Sequence, residues 1–220
     1  LPPFLRRVAW NSPRVLIGCQ CTQEDTMGLL VMIAGLVLSL GVHLVVTRRE
    51  FRARLISSYG EGPYKIGFSL ISAVGVALTL WGFLSYRATG VIDVWYPPRV
   101  MKHIAEALIL PSIILVVASY IRGRIYAKLK HPMLAGIKLW ATAHLLANGD
   151  LGSIILFGSI LAWAVIDRIS LKHRSDPGGL PIPVGGVRND VIAIVVGVVV
   201  YVAIGALFHP FVLGVPVFGA

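Results

Sequence analysis

The chain is short of charge, of acid and of cysteine. Asp, Glu, Lys and Arg make up only 14% of its 220 residues, against about 25% in an ordinary water-soluble domain. That scarcity excludes a surface solvated all round. Two cysteines, Cys19 and Cys21, are too few for a disulfide scaffold or a thiolate metal cage. The H-E-x-x-H zinc spacing, the G-x-x-x-x-G-K-[ST] phosphate loop and the G-x-S-x-G nucleophile turn are all missing, which argues against metallohydrolase, nucleotide and serine-hydrolase chemistry. No internal repeat is discernible.

Apolar sequence fills the space. Hydrophobic residues make up 56% of the chain, and they fall in runs as long as a membrane crossing, which takes about 20 helical residues for a core of about 30 Å. Spans are expected at Gly28 to Thr47, Ile66 to Tyr86, His103 to Ile121, Pro132 to Ala147, Leu151 to Ile166 and Val191 to Phe211. The fourth is short and carries Lys138 and His144, so a re-entrant or protein-enclosed helix is its alternative, with five spans as the fallback count. The fold class is therefore all-α: a polytopic transmembrane bundle of about six spans in a lipid bilayer.

The acid deficit leaves a net charge of +10, with 20 Lys+Arg against 10 Asp+Glu. Nucleic-acid binders spread such charge over a solvated face. Here it falls in alternate loops: Arg48, Arg49, Arg52, Arg54 and Lys65 after the first span, Arg122, Arg124, Lys128 and Lys130 after the third, Arg168, Lys172, Arg174 and Arg188 after the fifth. This is an orientation signal, with those loops cytoplasmic, and no nucleic-acid partner is expected. Trp95-Tyr96-Pro97-Pro98 suits an outer interfacial loop, and the Pro- and Gly-rich stretch from Pro177 to Gly186 reads as a connector. Asn11 to Arg14 interrupt any signal-peptide core. Met27 stands directly before the first long apolar run, so residues 1–26 are expected to be a disordered tail or upstream translation, and 27–220 the membrane domain.

Helices in lipid associate through small residues and polar contacts. Gly28, Met32, Gly35, Ser39, His43 and Thr47 make such a stripe on the first span. Ser72, Gly75, Thr79 and Gly82 make one on the second, and Ala193, Gly197, Tyr201, Gly205 and His209 one on the sixth. Close packing accounts for the glycines, but two stripes end in histidine. A histidine at membrane depth is by default a functional-site hypothesis and a common metal ligand.

His144 shares a helix face with Trp140 and Asn148, one turn away on either side. An aromatic, an imidazole and an amide together suit a buried cofactor; interhelical hydrogen bonding is the alternative. His43 lies on the small-residue stripe, which leaves space for a flat ligand. His131-Pro132 opens the fourth helix, where Pro is tolerated in the first turn. His103 and Glu106 share a face at the outer end of the third span. Haem needs only one or two axial side chains and an apolar slot, so these residues permit it.

Three stretches carry a family resemblance: GVHLVVTRREFRARL with the Gly60 to Tyr64 turn, WYPPRVMKHIAEALILP, and above all KHPMLAGIKLWATAHLLANGD from Lys130 to Asp150. The chain resembles the NnrU family of integral membrane proteins over nearly everything from Met27 onward. The resemblance implies a multi-pass bacterial inner-membrane protein associated with nitrate and nitric oxide reduction (denitrification). More distantly it is similar to the zeta-carotene isomerase, a membrane enzyme using haem b. By position in the motifs, His43 and His144 are similar to that enzyme's two haem histidines, and His131 matches a third. Metal ligands are thus expected at His43, His144 and His131, with Trp140 and Asn148 beside the cofactor. The isomerase carries a cysteine where this chain has Ala141, a departure that counts against isomerase activity.

Depth adds a constraint. At about 1.5 Å per residue, His144 lies some 20 Å from the cytoplasmic end of its helix and His43 only about 6 Å from the end of its own. His43 with His131, or His144 with His209 or His103, fits the spans better than His43 with His144. The leading expectation is a haem-binding redox or accessory role. The alternatives are haem-dependent cis-trans isomerisation of a polyene and a cofactor-free assembly or transport component.

Overall fold

The computed structural model describes residues 23–173, 182–215 and 217–218. The expectation for residues 1–26 falls almost wholly outside them, as does half of the 177–186 connector. Among the described residues the chain is helical, with no strand beyond one isolated bridge between Asp93 and Asp150.

Five helices are long and apolar enough to cross a membrane. They are α1 (Gln23–Thr47), α3 (Glu61–Thr89), α4 (Arg99–Ala118), α7 (Leu151–Lys172) and α8 (Val187–Ala203), the last continued by a π turn (Ile204–Phe208) and α9 (His209–Val212). Several outrun the expected spans, because helices continue past the hydrocarbon into interfacial turns. The third ends earlier than expected, at Ala118 rather than Ile121. The fourth expected span, α6 (Pro132–Ala147), has the predicted bounds but only 16 residues, about 24 Å. It is the protein-enclosed case: α6 packs between α4 and α7 and buries Leu134, Gly136, Ala141 and Ala143. Two short helices complete the basic end, α2 (Arg49–Tyr59) and α5 (Arg124–Leu129).

The spans pack in the spatial order α3, α1, α7, α6, α4, α8. The small-residue stripes form the closest of these contacts, as their spacing predicts. On α1 and α3, a Cβ at Gly28 would come within 2.6 Å of the Tyr86 nitrogen, and one at Gly75 within 2.6 Å of the Ser39 nitrogen. Added carbons at Gly35 and Gly82 would collide with the backbone of Thr79 and Met32. Without a hydrophobic force between helices in lipid, such backbone proximity supplies the dispersion contacts that hold the pair. Between α4 and α6 the Ser112 hydroxyl donates to the Gly136 carbonyl at 2.8 Å in a buried interhelical bond.

At the end opposite the basic one, the loop before α4 straps the turn between α6 and α7. Val94 and Trp95 both donate backbone N–H to the Gly149 carbonyl, and Leu151 N–H donates to Ile92. Asp150 caps α7 by accepting from the Ser153 N–H at 2.9 Å and pairs with Arg87 at 3.7 Å. At the basic end, the Asp190 carboxylate accepts the backbone N–H groups of Arg124 and Ile125, both at 3.0 Å, tying α8 to α5.

Candidate functional site

The small-residue crossing of α1 and α3 sets Met32, Leu36, Phe83 and Tyr86 against Ala141 of α6 and Leu156 and Phe157 of α7. This apolar floor continues into an aromatic cluster around His144. Its ring lies 4.7 Å from Trp140 and 4.4 Å from Phe157, centre to centre, and those two rings are 5.1 Å apart. Helical periodicity explains the Trp140–His144 contact. Phe157 belongs to the next helix and carries no signal in the α6 sequence.

His209 completes the cluster from the other side. Its ring centre is 6.4 Å from that of His144, with the planes 29° apart. The approach crosses a gap, because α8 packs on α4 and neither α8 nor α9 packs extensively on α6. The π turn sets the angle. His209 Nδ1 hydrogen-bonds the Ile204 carbonyl, five residues back, at 3.1 Å. His144 Nδ1 hydrogen-bonds the Trp140 carbonyl, four residues back, at 2.9 Å. A carbonyl only accepts, so each Nδ1 carries the ring proton, and the neutral ring's lone pair is left on Nε2. Anchoring one ring nitrogen so that the other is free to bind is the usual arrangement behind a metal-ligating histidine.

The separation agrees with that chemistry. Metal–imidazole bonds of about 2.0 Å on either side, with about 1.1 Å from each nitrogen to its ring centre, place two such rings roughly 6.2 Å apart. Among the described residues no group of three or more His, Cys, Asp or Glu gathers at any point. A four-ligand zinc cage therefore has no basis there; the donors gathered are two imidazoles beside an apolar aromatic wall.

The other expected site residues have contacts of their own. Asn148 donates its side-chain amide to the His144 carbonyl at 2.9 Å, closing the end of α6. His43 bonds the Ser39 carbonyl through Nδ1 at 2.7 Å, but its ring rests on Phe68 at 5.1 Å and Trp163 at 5.5 Å. Trp163 lies six residues from Phe157 on α7, about 9 Å along the axis, so His43 and His144 lean on that helix at different levels. The indole N–H of Trp163 and the hydroxyl of Tyr64, which neighbours Phe68, are buried without hydrogen-bond partners. His131 is half-buried where α6 begins; burial, then the Arg168 guanidinium, lowers its pKa, while Asp167 opposes them. Exposed His103 meets Glu106 at 3.7 Å, on the face they share. Ala141 is fully buried in the core.

The structure thus brings Trp140 and His144 together, as the helix face predicts, and sets the His209 ring centre 6.4 Å from that of His144. Phe157 and the π turn are what the sequence reading missed. A search of curated proteins and of solved structures found no match. The family model described as NnrU protein matches residues 31–217, most of the chain, and the chain therefore belongs to the NnrU family.

Proposed function

We propose that this protein is a haem-binding membrane protein with a redox or accessory role in bacterial nitrate and nitric oxide reduction, seated in the inner membrane. The observation that carries the reading is the His144–His209 pair, two imidazoles 6.4 Å apart with each Nδ1 bonded to a backbone carbonyl. Family membership and the membrane-spanning helices support the setting.

In this reading His144 and His209 would hold the haem through their free ring nitrogens. Trp140 and Phe157 wall one side and exclude water, which raises the weight of every charge and dipole nearby. Trp140 also orients His144 through its carbonyl, and Asn148 fixes the end of the same helix. The π turn and Pro210, whose ring nitrogen has no hydrogen to donate, hold His209 at its angle. Haem b bound there would supply one-electron chemistry at a potential set by its ligands and the burial around it.

The test is the absorption spectrum of detergent-purified full chain from haem-sufficient cells, oxidised and then reduced. The reading predicts a Soret band that shifts on reduction and a haem content near one per chain. A colourless preparation would overturn it.

A further inference from the structure

At the basic end of the bundle a groove of about 400 Å³ opens between α1, the start of α2 and α7, lined by Gly41, Leu44, Val45, Arg48, Phe51 and Ile166. Its volume lies within the roughly 300–1,000 Å³ of small-molecule clefts. The floor is apolar and faces outward from the bundle: Leu44 is 37% and Ile166 47% exposed. In a membrane protein that exposure is contact with lipid. Nothing lies within 4 Å of where a Gly41 Cβ would stand, so the absence of a side chain at this position leaves the floor open.

The charged residue of the lining is Arg48, and Arg49, Arg52 and Arg54 follow on α2. Glu50 meets Arg54 at 3.9 Å, and Arg52 lies over the Tyr64 ring at 5.8 Å. Among the described residues no acidic side chain pairs with Arg48 or Arg49. The helix itself is amphipathic, with Phe51, Leu55 and Tyr59 on one face and Arg49, Ser57, Glu50 and Arg54 on the other. It buries no residue in the protein, the condition of a helix lying in the headgroup layer.

We infer that this groove is a binding site for an anionic phospholipid, with an acyl chain over Gly41, Leu44 and Ile166 and the headgroup phosphate on Arg48. The site needs both halves: Arg48 alone is one charge on a diffuse basic surface, and the apolar floor alone takes any acyl chain. Positive loops at the cytoplasmic face meet the leaflet in which anionic lipid concentrates, so charge complementarity selects the occupant. The inference is independent of haem.

The experiment is native mass spectrometry of the detergent-solubilised full chain, titrated with phosphatidylglycerol or with phosphatidylcholine of the same acyl chains. The wild type binds one phosphatidylglycerol at least about fivefold more tightly than phosphatidylcholine. The variant Arg48→Gln erases that preference while retaining weak binding of both lipids. Gly41→Leu fills the floor and weakens both, with unchanged helix content by circular dichroism. Equal affinity of the wild type for the two lipids overturns the inference, as does unaltered phosphatidylglycerol binding by Gly41→Leu. Displacement of the bound lipid by millimolar inorganic phosphate also overturns it, because the groove would then be a phosphate site only.

Discussion

His144 and His209 face one another across a gap between helices, 6.4 Å centre to centre, each with its Nδ1 bonded to a carbonyl of its own helix. The two anchors differ in a telling way. His144 reaches back four residues, the ordinary helical interval, whereas His209 reaches back five through a π turn at Ile204–Phe208. Single π turns inside α-helices recur at functional sites, where the extra residue re-aims a side chain.

The α1–α3 contact predicts a sharp contrast between two glycines. At Gly35 an added methyl would overlap the Thr79 nitrogen and the Gly75 carbonyl, whereas at Gly67 it would meet nothing within 4 Å. Gly35→Ala should cost about 1–3 kcal/mol of stability, the usual range for overpacking. Gly67→Ala should be neutral or slightly stabilising through helix propensity. Thermal unfolding in one detergent, with both variants side by side, checks this; equal midpoints would refute the packing assigned to the stripe.

Asp150 serves as a helix cap and as the partner of Arg87. Asparagine caps as well as aspartate does, and alanine does not. Asp150→Ala should therefore lose about 1–2 kcal/mol, and Asp150→Asn distinctly less, because it gives up only a partly exposed ion pair at 3.7 Å. Chemical denaturation of the two variants distinguishes cap from charge. A larger loss in Asp150→Asn than in Asp150→Ala would reverse the assignment.

His131 favours its neutral form in the folded chain, held there by burial first and by Arg168 second. Its folded pKa lies below the unfolded one, so the unfolded chain takes up the proton first as pH falls. Stability is whole above the ordinary imidazole value of about 6.5 and declines from there toward the depressed folded value. Titration of the His131 ring by NMR should give a midpoint below about 6.5, and Arg168→Gln should raise it. A wild-type midpoint at or above the ordinary value would contradict the placement of His131 against α7.

Much of this fold is written in the sequence, because lipid imposes length and small-residue rules that a single chain displays openly. Gly35, Gly75 and Gly82 announced the α1–α3 contact through their spacing alone. Trp140 and His144 were legible for the same reason, being one turn apart on one helix. Phe157 was not, since its part depends on which face of α7 meets α6. The π turn was invisible because nothing local in Ile204–Phe208 distinguishes it from an α-helix; tertiary placement of His209 decides it. The different level of His43 followed from depth arithmetic, whereas its neighbours Phe68 and Trp163 did not.

The account turns on which histidines hold the cofactor, and one comparison measures that most directly: haem content and oxidised and reduced Soret spectra of the wild type, His43→Ala, His144→Ala and His209→Ala, purified identically. Ligation by the His144–His209 pair predicts that His144→Ala and His209→Ala each lose haem or shift its spectrum to a high-spin form, while His43→Ala keeps the wild-type spectrum. Loss of haem in His43→Ala together with a wild-type spectrum in His209→Ala would contradict it.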